Sequence, residues 1–190
     1  MIGGVVLAGG ASSRMGRPKA LLPLGDCSLA ERVVNLFAPH CSETIIVTGA
    51  HDLEIRQGLP HLAATMVYNS DHALGMFSSL RVGLAHFPEA TAILFSPVDF
   101  AAVRPSSVAA LFSAPPSPLV KLRFQGCSGH PVLLRSQALA ALRGAPLSAN
   151  AKDLLSLVPA LYVDVEDSAV AEDCDTPEDY RRLLDRWRSA

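Results

Sequence analysis

Paired cysteines, long apolar runs and a dominant charge are all missing from this 190-residue chain. The cysteines at 27, 41, 127 and 174 lie far apart and form no C-x-x-C pair. That spacing argues against a disulfide framework or a zinc site and for free, buried or half-buried thiols in a reducing cytoplasm. No run approaches the roughly 20 apolar residues of a membrane helix. The opening "MIGGVVLAGG" has neither the basic n-region nor the A-x-A-like site of a signal peptide. Charge is sparse and balanced, with 16 Lys+Arg against 18 Asp+Glu and a formal net charge of −2. Broad electrostatic binding to nucleic acid or to an anionic membrane is therefore not expected. Nucleophilic-triad and H-E-x-x-H arrangements are absent as well.

What is present is apolar sequence in short runs. "GGVVLA", "ETIIVTG", "ATMVYN" and "AILFSPVD" read as buried strands, separated by segments with helical spacing. "SLAERVVNLF" begins with Ser28 and has Glu31 three residues on, a capping-box pattern. "MFSSLRVGLAHF" sets Phe77, Leu80 and Leu84 on one helical face. Such alternation predicts a three-layer α/β/α domain with a mostly parallel sheet.

The rhythm changes after about residue 114. "SAPPSPL" reads as a loop, and "LVKLRF" and "HPVLLR" as strands, with Gly126 and Gly129 in a turn between them. Helices at "SQALAAL" and "NAKDLLSL", a late strand at "ALYVDV" and a closing helix at "TPEDYRRLLDRW" complete the pattern. The expectation is one α/β domain over 1–190, divided near residue 114, with an inserted hairpin in its second half, 115–190.

The chemistry gathers in five stretches. "LAGGASSRMGRPKALLPLG", residues 7–25, combines glycines, serines, Arg14 and Lys19 without a single acid. It follows neither G-x-x-x-x-G-K-[ST] nor G-x-G-x-x-G, and the second strand ends in "VTGA" rather than in an acid for a ribose. Its amides, from Leu7, Ala8, Gly9 and Gly10 onward, can cradle phosphate oxygens, with Arg14 and Lys19 supplying charge. In "SPVDF", Asp99 lies just past a strand end, where a carboxylate can hold Mg²⁺ against phosphates or simply cap a turn. In "DCDTPEDY", Asp175 or Thr176 is a natural helix cap, which by itself accounts for the stretch. In "NSDHALGMFSSL", Asn69, Gly75, Ser78 and Ser79 offer amides and hydroxyls to a base or ribose, or cap a helix. In "CSGHPVLL", His130 is held extended between Gly129 and Pro131 with its ring available to a cleft.

Taken together and in order, these stretches resemble the MobA/MocA-like nucleotidyltransferases, which attach a nucleotide to the molybdopterin cofactor. The resemblance implies a Rossmann-like, nucleotide-diphospho-sugar transferase type of fold. It implies that the glycine-rich loop wraps the triphosphate of CTP or GTP, with Arg14 and Lys19 on phosphates. It implies that Asp99 and Asp175 coordinate Mg²⁺, that Gly75 to Ser79 lie near base and ribose, and that Gly129, His130 and Pro131 lie near the acceptor. Molybdopterin is then the expected acceptor and a molybdoenzyme a possible recipient of the product. A sugar phosphate as acceptor, or a cofactor-binding maturation factor without catalysis, are the alternatives. Two positions depart from the family pattern: Ala101 stands where a proline is common, and "SANAKDLL" where a Gly-Asp-Arg-Gly sequence often occurs. The "LAGG" opening resembles the guanylyl-transferring branch and the later motifs the cytidylyl branch. Gly9, lacking a methyl group, would leave room for a purine.

Overall fold

The computed structural model describes residues 1–189. Nine strands and seven helices follow in chain order: β1 (Ile2–Ala8), β2 (Pro23–Leu24), β3 (Cys27–Ser28), α1 (Leu29–Phe37), β4 (Glu43–Thr48), α2 (Asp52–Gly58), β5 (Thr65–Tyr68), α3 (Met76–His86), β6 (Ala92–Pro97), α4 (Pro105–Ser113), β7 (Leu119–Phe124), β8 (Cys127–Arg135), α5 (Ser136–Gly144), α6 (Ala151–Ser156), β9 (Ala160–Asp164) and α7 (Pro177–Ser189). Seven of the strands form one sheet in the order β5-β4-β1-β6-β8-β7-β9. β8 runs against both β6 and β7, while β1, β4, β5 and β6 are mutually parallel and β9 is parallel to β7.

Alternation along the central strands splits the core into two layers, as period-2 side chains require. Val6, Ile46 and Leu94 point to α1, α2, α4 and α7. Val5, Leu7, Ile45, Val47, Ile93 and Phe95 point to α3, α5 and α6. The architecture is thus α/β/α with a mostly parallel sheet. The capping box at α1 is present: Glu31 N–H donates to Ser28 Oγ at 3.2 Å, and Ser28 N–H donates to Glu31 Oε2 at 2.7 Å.

The second half departs from the sequence reading in the place of its hairpin and in the residues of its turn. The β7–β8 hairpin is not an insertion: β8 pairs directly with β6, so the hairpin extends the central sheet. Its turn is formed by Gln125 and Gly126, both at positive φ, whereas Gly129 lies inside β8. A Cβ at Gly129 would stand 1.8 Å from the Val170 carbonyl oxygen, so its glycine serves a close backbone approach rather than a turn. All four cysteines are free, and Cys127 is exposed rather than buried. Among the described residues no helix is long and apolar enough to cross a membrane.

The chain leaves β1 for β4 and β5 on one side and returns to β6 on the other. Strand order therefore reverses at β1, and the crevice at the carboxyl ends of the strands beside such a reversal is where open α/β sheets take ligands. Both the glycine-rich loop after β1 and Asp99 after β6 arrive at that edge.

Candidate active site

Three elements converge on Lys19. The loop after β1 is closed by a turn in which Met15 and Gly16 N–H donate to the Ser12 carbonyl at 2.9 and 3.1 Å. Ser12 Oγ accepts from the Lys19 N–H at 3.3 Å, which fixes the lysine at the start of a short 3-10 turn. Its Nζ donates to Asp99 Oδ2 at 2.9 Å and also to Asp175 Oδ1, while Arg14 donates to Asp175 Oδ2. Asp99 and Asp175, far apart in sequence, therefore reach one common atom.

Asp175 is free to do so because it is not the cap of α7. Thr176 is the cap: Asp179 N–H donates to its Oγ1 at 3.2 Å, and Asp179 Oδ2 accepts from Thr176 N–H at 2.7 Å. The T-x-x-D pattern satisfies the helix start and leaves the preceding carboxylate facing the cleft.

The charges are unequal. Burial pushes the Asp99 carboxyl above its ordinary value, with the Lys19 ammonium opposing that push. The hydrogen bond from Lys19 holds Asp175 below the carboxylate range. Burial works against the Lys19 ammonium, but the two carboxylates outweigh it and raise its pKa.

Arg14, Lys19 and Asp175 line a cavity of about 220 Å³ together with Leu7, Ala8 and Gly10. His51, at the start of α2, lines it too. Its Nε2 donates to the Ala11 carbonyl at 2.8 Å and its Nδ1 faces Glu54 at 2.9 Å. The Glu54 contact, with that to Ala11, raises its pKa. No sequence motif singles out His51. The usable signal was its place directly after the second strand, on the same sheet edge.

The arrangement suits a divalent ion. Asp99 Oδ1 is buried without a hydrogen-bond partner, an acceptor left over after Lys19 has taken the other oxygen. Among the described residues no cluster of three or more His, Cys, Asp or Glu side chains could cage a metal. Two carboxylates completed by phosphate oxygens and water form a Mg²⁺-type donor set.

The other predicted residues are placed differently. Asn69, Gly75, Ser78 and Ser79 do not line this cavity. The Asn69 amide donates to Ser78 Oγ at 2.9 Å and to Ser79 Oγ at 3.0 Å. Ser78 Oγ in turn donates to the Asp71 and Gly75 carbonyls. Both hydroxyls thus accept from Asn69, and Ser78 also braces the loop before α3. A Cβ at Gly9 would lie 2.6 Å from Ser79 Oγ, so the glycine is required by close packing against α3.

Gly129 and His130 line a second cavity, of about 420 Å³, while Pro131 is buried outside its lining. The His130 ring does not stand free in a cleft. It packs against Phe95 and Phe100, with centroids at 5.2 and 4.8 Å, and burial pulls its pKa down to about 4.

Comparison with known proteins agrees with this geometry. Residues 4–165 match the model of the MobA-like NTP transferase domain. The molybdenum cofactor cytidylyltransferase of Escherichia coli (strain K12) is 23% identical over 96% of this chain and 95% of that protein. The guanylyltransferase of Xanthomonas euvesicatoria pv. vesicatoria (strain 85-10) is 29% identical over 95% and 93%. The nicotine blue oxidoreductase of Paenarthrobacter nicotinovorans is 33% identical over 95% of each. Among solved structures, Rv0371C of Mycobacterium tuberculosis H37Rv in complex with manganese superposes with a TM-score of 0.76 at 28% identity, covering 97% of this chain and 98% of that one.

Proposed function

This chain belongs to the MobA-like NTP transferase family and is a nucleotidyltransferase, and from that premise we propose that it transfers CMP from CTP to the phosphate of molybdopterin in the cytoplasm. An acceptor phosphate oxygen bonds to the α-phosphorus of CTP, the bond to the bridging α–β oxygen breaks, and pyrophosphate leaves with that oxygen. The nucleophile is already an anion, so no general base is needed. Alignment and charge neutralisation are what the protein must supply.

The observation that carries the proposal is the convergence of Lys19 and Arg14 on Asp99 and Asp175 beside the glycine-rich loop. Mg²⁺ held by the two carboxylates would neutralise phosphate charge when bound. Lys19 and Arg14 then turn from the carboxylates to the phosphates, and the loop amides fix the triphosphate. The intact constellation favours transfer over a maturation factor without catalysis. It also favours transfer over the reduction named for the Paenarthrobacter relative, since the loop is built for phosphates and lacks the G-x-G-x-x-G pattern.

CTP is preferred over GTP because most of the motifs resemble the cytidylyl branch. Residues 1–114 carry the nucleotide and 115–190 the acceptor, and a molybdoenzyme receives the product. The test is pyrophosphate release with Mg²⁺, using CTP or GTP and a panel of phosphorylated acceptors. Release from CTP with molybdopterin supports the proposal. Release with a sugar phosphate alone, or with no acceptor in the panel, overturns it.

A further inference from the structure

The second cavity has a floor of three side chains in register across β6, β8 and β7: Phe95, Val132 and Lys121. α6 adds Lys152 to the wall, and Phe100 closes it from the turn after β6. Among the described residues neither lysine has a carboxylate within ion-pair distance. The two cations instead face each other. Burial, and then the charge of Lys152, lower the Lys121 pKa. His130 lines the same cavity, and its Nδ1 is buried without a partner. A half-buried ammonium without an ion pair on an apolar floor, with a second ammonium at the rim, favours an anion in this cavity. The cavity adjoins the carboxylate pair, since Phe100 follows Asp99 and the lining residue Asp173 precedes Asp175 by two.

We infer that Lys121 and Lys152 hold the phosphate ester of the acceptor, whose flat body rests on Phe95, Val132 and Phe100. The word acceptor rests on the nucleotidyl-transfer reading; the anion site rests on the cavity itself. A phosphate monoester carries about −1.5 to −2 at neutral pH, enough to satisfy both ammoniums. The apolar floor selects an ester with a flat ring system over a free phosphate.

Isothermal titration with pterin-6-ylmethyl phosphate, its dephosphorylated alcohol and inorganic pyrophosphate tests this, with Mg²⁺–CTP titrated separately. The wild-type protein should bind the ester at least tenfold more tightly than the alcohol, whereas pyrophosphate, which the first cavity takes as product, should bind the double variant as it binds wild type. The Lys121→Met/Lys152→Met protein should lose that discrimination and keep its affinity for the alcohol, while Lys121→Arg retains the preference for the ester. Wild-type affinity for the ester in the double variant would overturn the inference, and so would equal wild-type binding of the ester and its alcohol. The CTP titration judges the transferase reading independently, because CTP binding depends on Lys19 in the first cavity and not on this lysine pair.

Discussion

Replacing Lys19 with methionine keeps the apolar stem and removes the ammonium that joins Asp99 to Asp175. The Lys19 and Asp99 side chains are 13% and 15% exposed, and Asp175 is 28% exposed. Removing one partner of a fully buried pair costs about 3–5 kcal/mol, and this partial exposure lowers the expected loss to about 2 kcal/mol. In a chain of this size about 1 kcal/mol moves Tm by about 2–4 °C, so the metal-free variant should melt about 4–8 °C below wild type. A divalent ion reverses the order of effects. Manganese at about a hundred times its Kd contributes about 2.7 kcal/mol to whichever protein binds it. In the variant it meets an uncompensated Asp99 and an Asp175 held by Arg14 alone, whereas in wild type it must first displace the ammonium. Thermal melts without nucleotide, with and without MnCl₂, should therefore show a larger manganese stabilisation in Lys19→Met than in wild type. Turnover of the variant should fall by about 10²-fold or more, the scale of one lost electrostatic stabiliser. A variant that melts like wild type, responds equally to manganese and turns over normally would refute the reasoning.

Asp99→Asn should raise the Mg²⁺ concentration for half-maximal turnover by at least the about 10–100-fold that loss of an outer partner costs a metal site; an unchanged Mg²⁺ titration would remove Asp99 from the site. Gly9→Ala forces a methyl group against Ser79 Oγ and should destabilise the protein by about 1–3 kcal/mol, the usual cost of overpacking. Ser79→Ala in the same protein should recover much of that loss, and simply additive losses in denaturant melts would show that the contact is not its cause. His130 titrates near 4 in the fold against 6.5 when free. Between those values the unfolded chain binds a proton that the native state does not, so stability should fall as pH drops from 6.5 toward 4. His130→Phe should flatten that window, and an unchanged slope would contradict the burial of the ring.

The strands and helices were legible because burial wrote its period into them: Val5 and Val6 already announce two faces, and Ser28 with Glu31 announces a helix start. The loop cations and Asp99 were legible because strand ends at one sheet edge meet in space. Asp175 was legible only through the family resemblance, since by itself a carboxylate before T-P-E-D is an equally good cap until Asp179 is seen to complete the Thr176 cap. The place of the hairpin was not legible, because local periodicity says nothing about which strand β8 will pair with. Ser79 as the occupant of the space beside Gly9 depends on two segments about seventy residues apart packing together. Lys121 carried a faint signal, a cation inside the apolar run "LVKLRF", and its meaning emerged only with Lys152 across the cavity.

CTP radiolabelled at its α-phosphate, incubated with the protein, Mg²⁺ and molybdopterin, follows the transferred group directly. Nucleotidyl transfer predicts label on molybdopterin in step with pyrophosphate release, and a higher kcat/KM for CTP than for GTP. A preference for GTP of about tenfold, or about 1.4 kcal/mol in the transition state, would reverse the choice of base and leave transfer standing. Label that stays in the nucleotide with both CTP and GTP, in a protein that is folded and has bound Mg²⁺, would contradict the function itself.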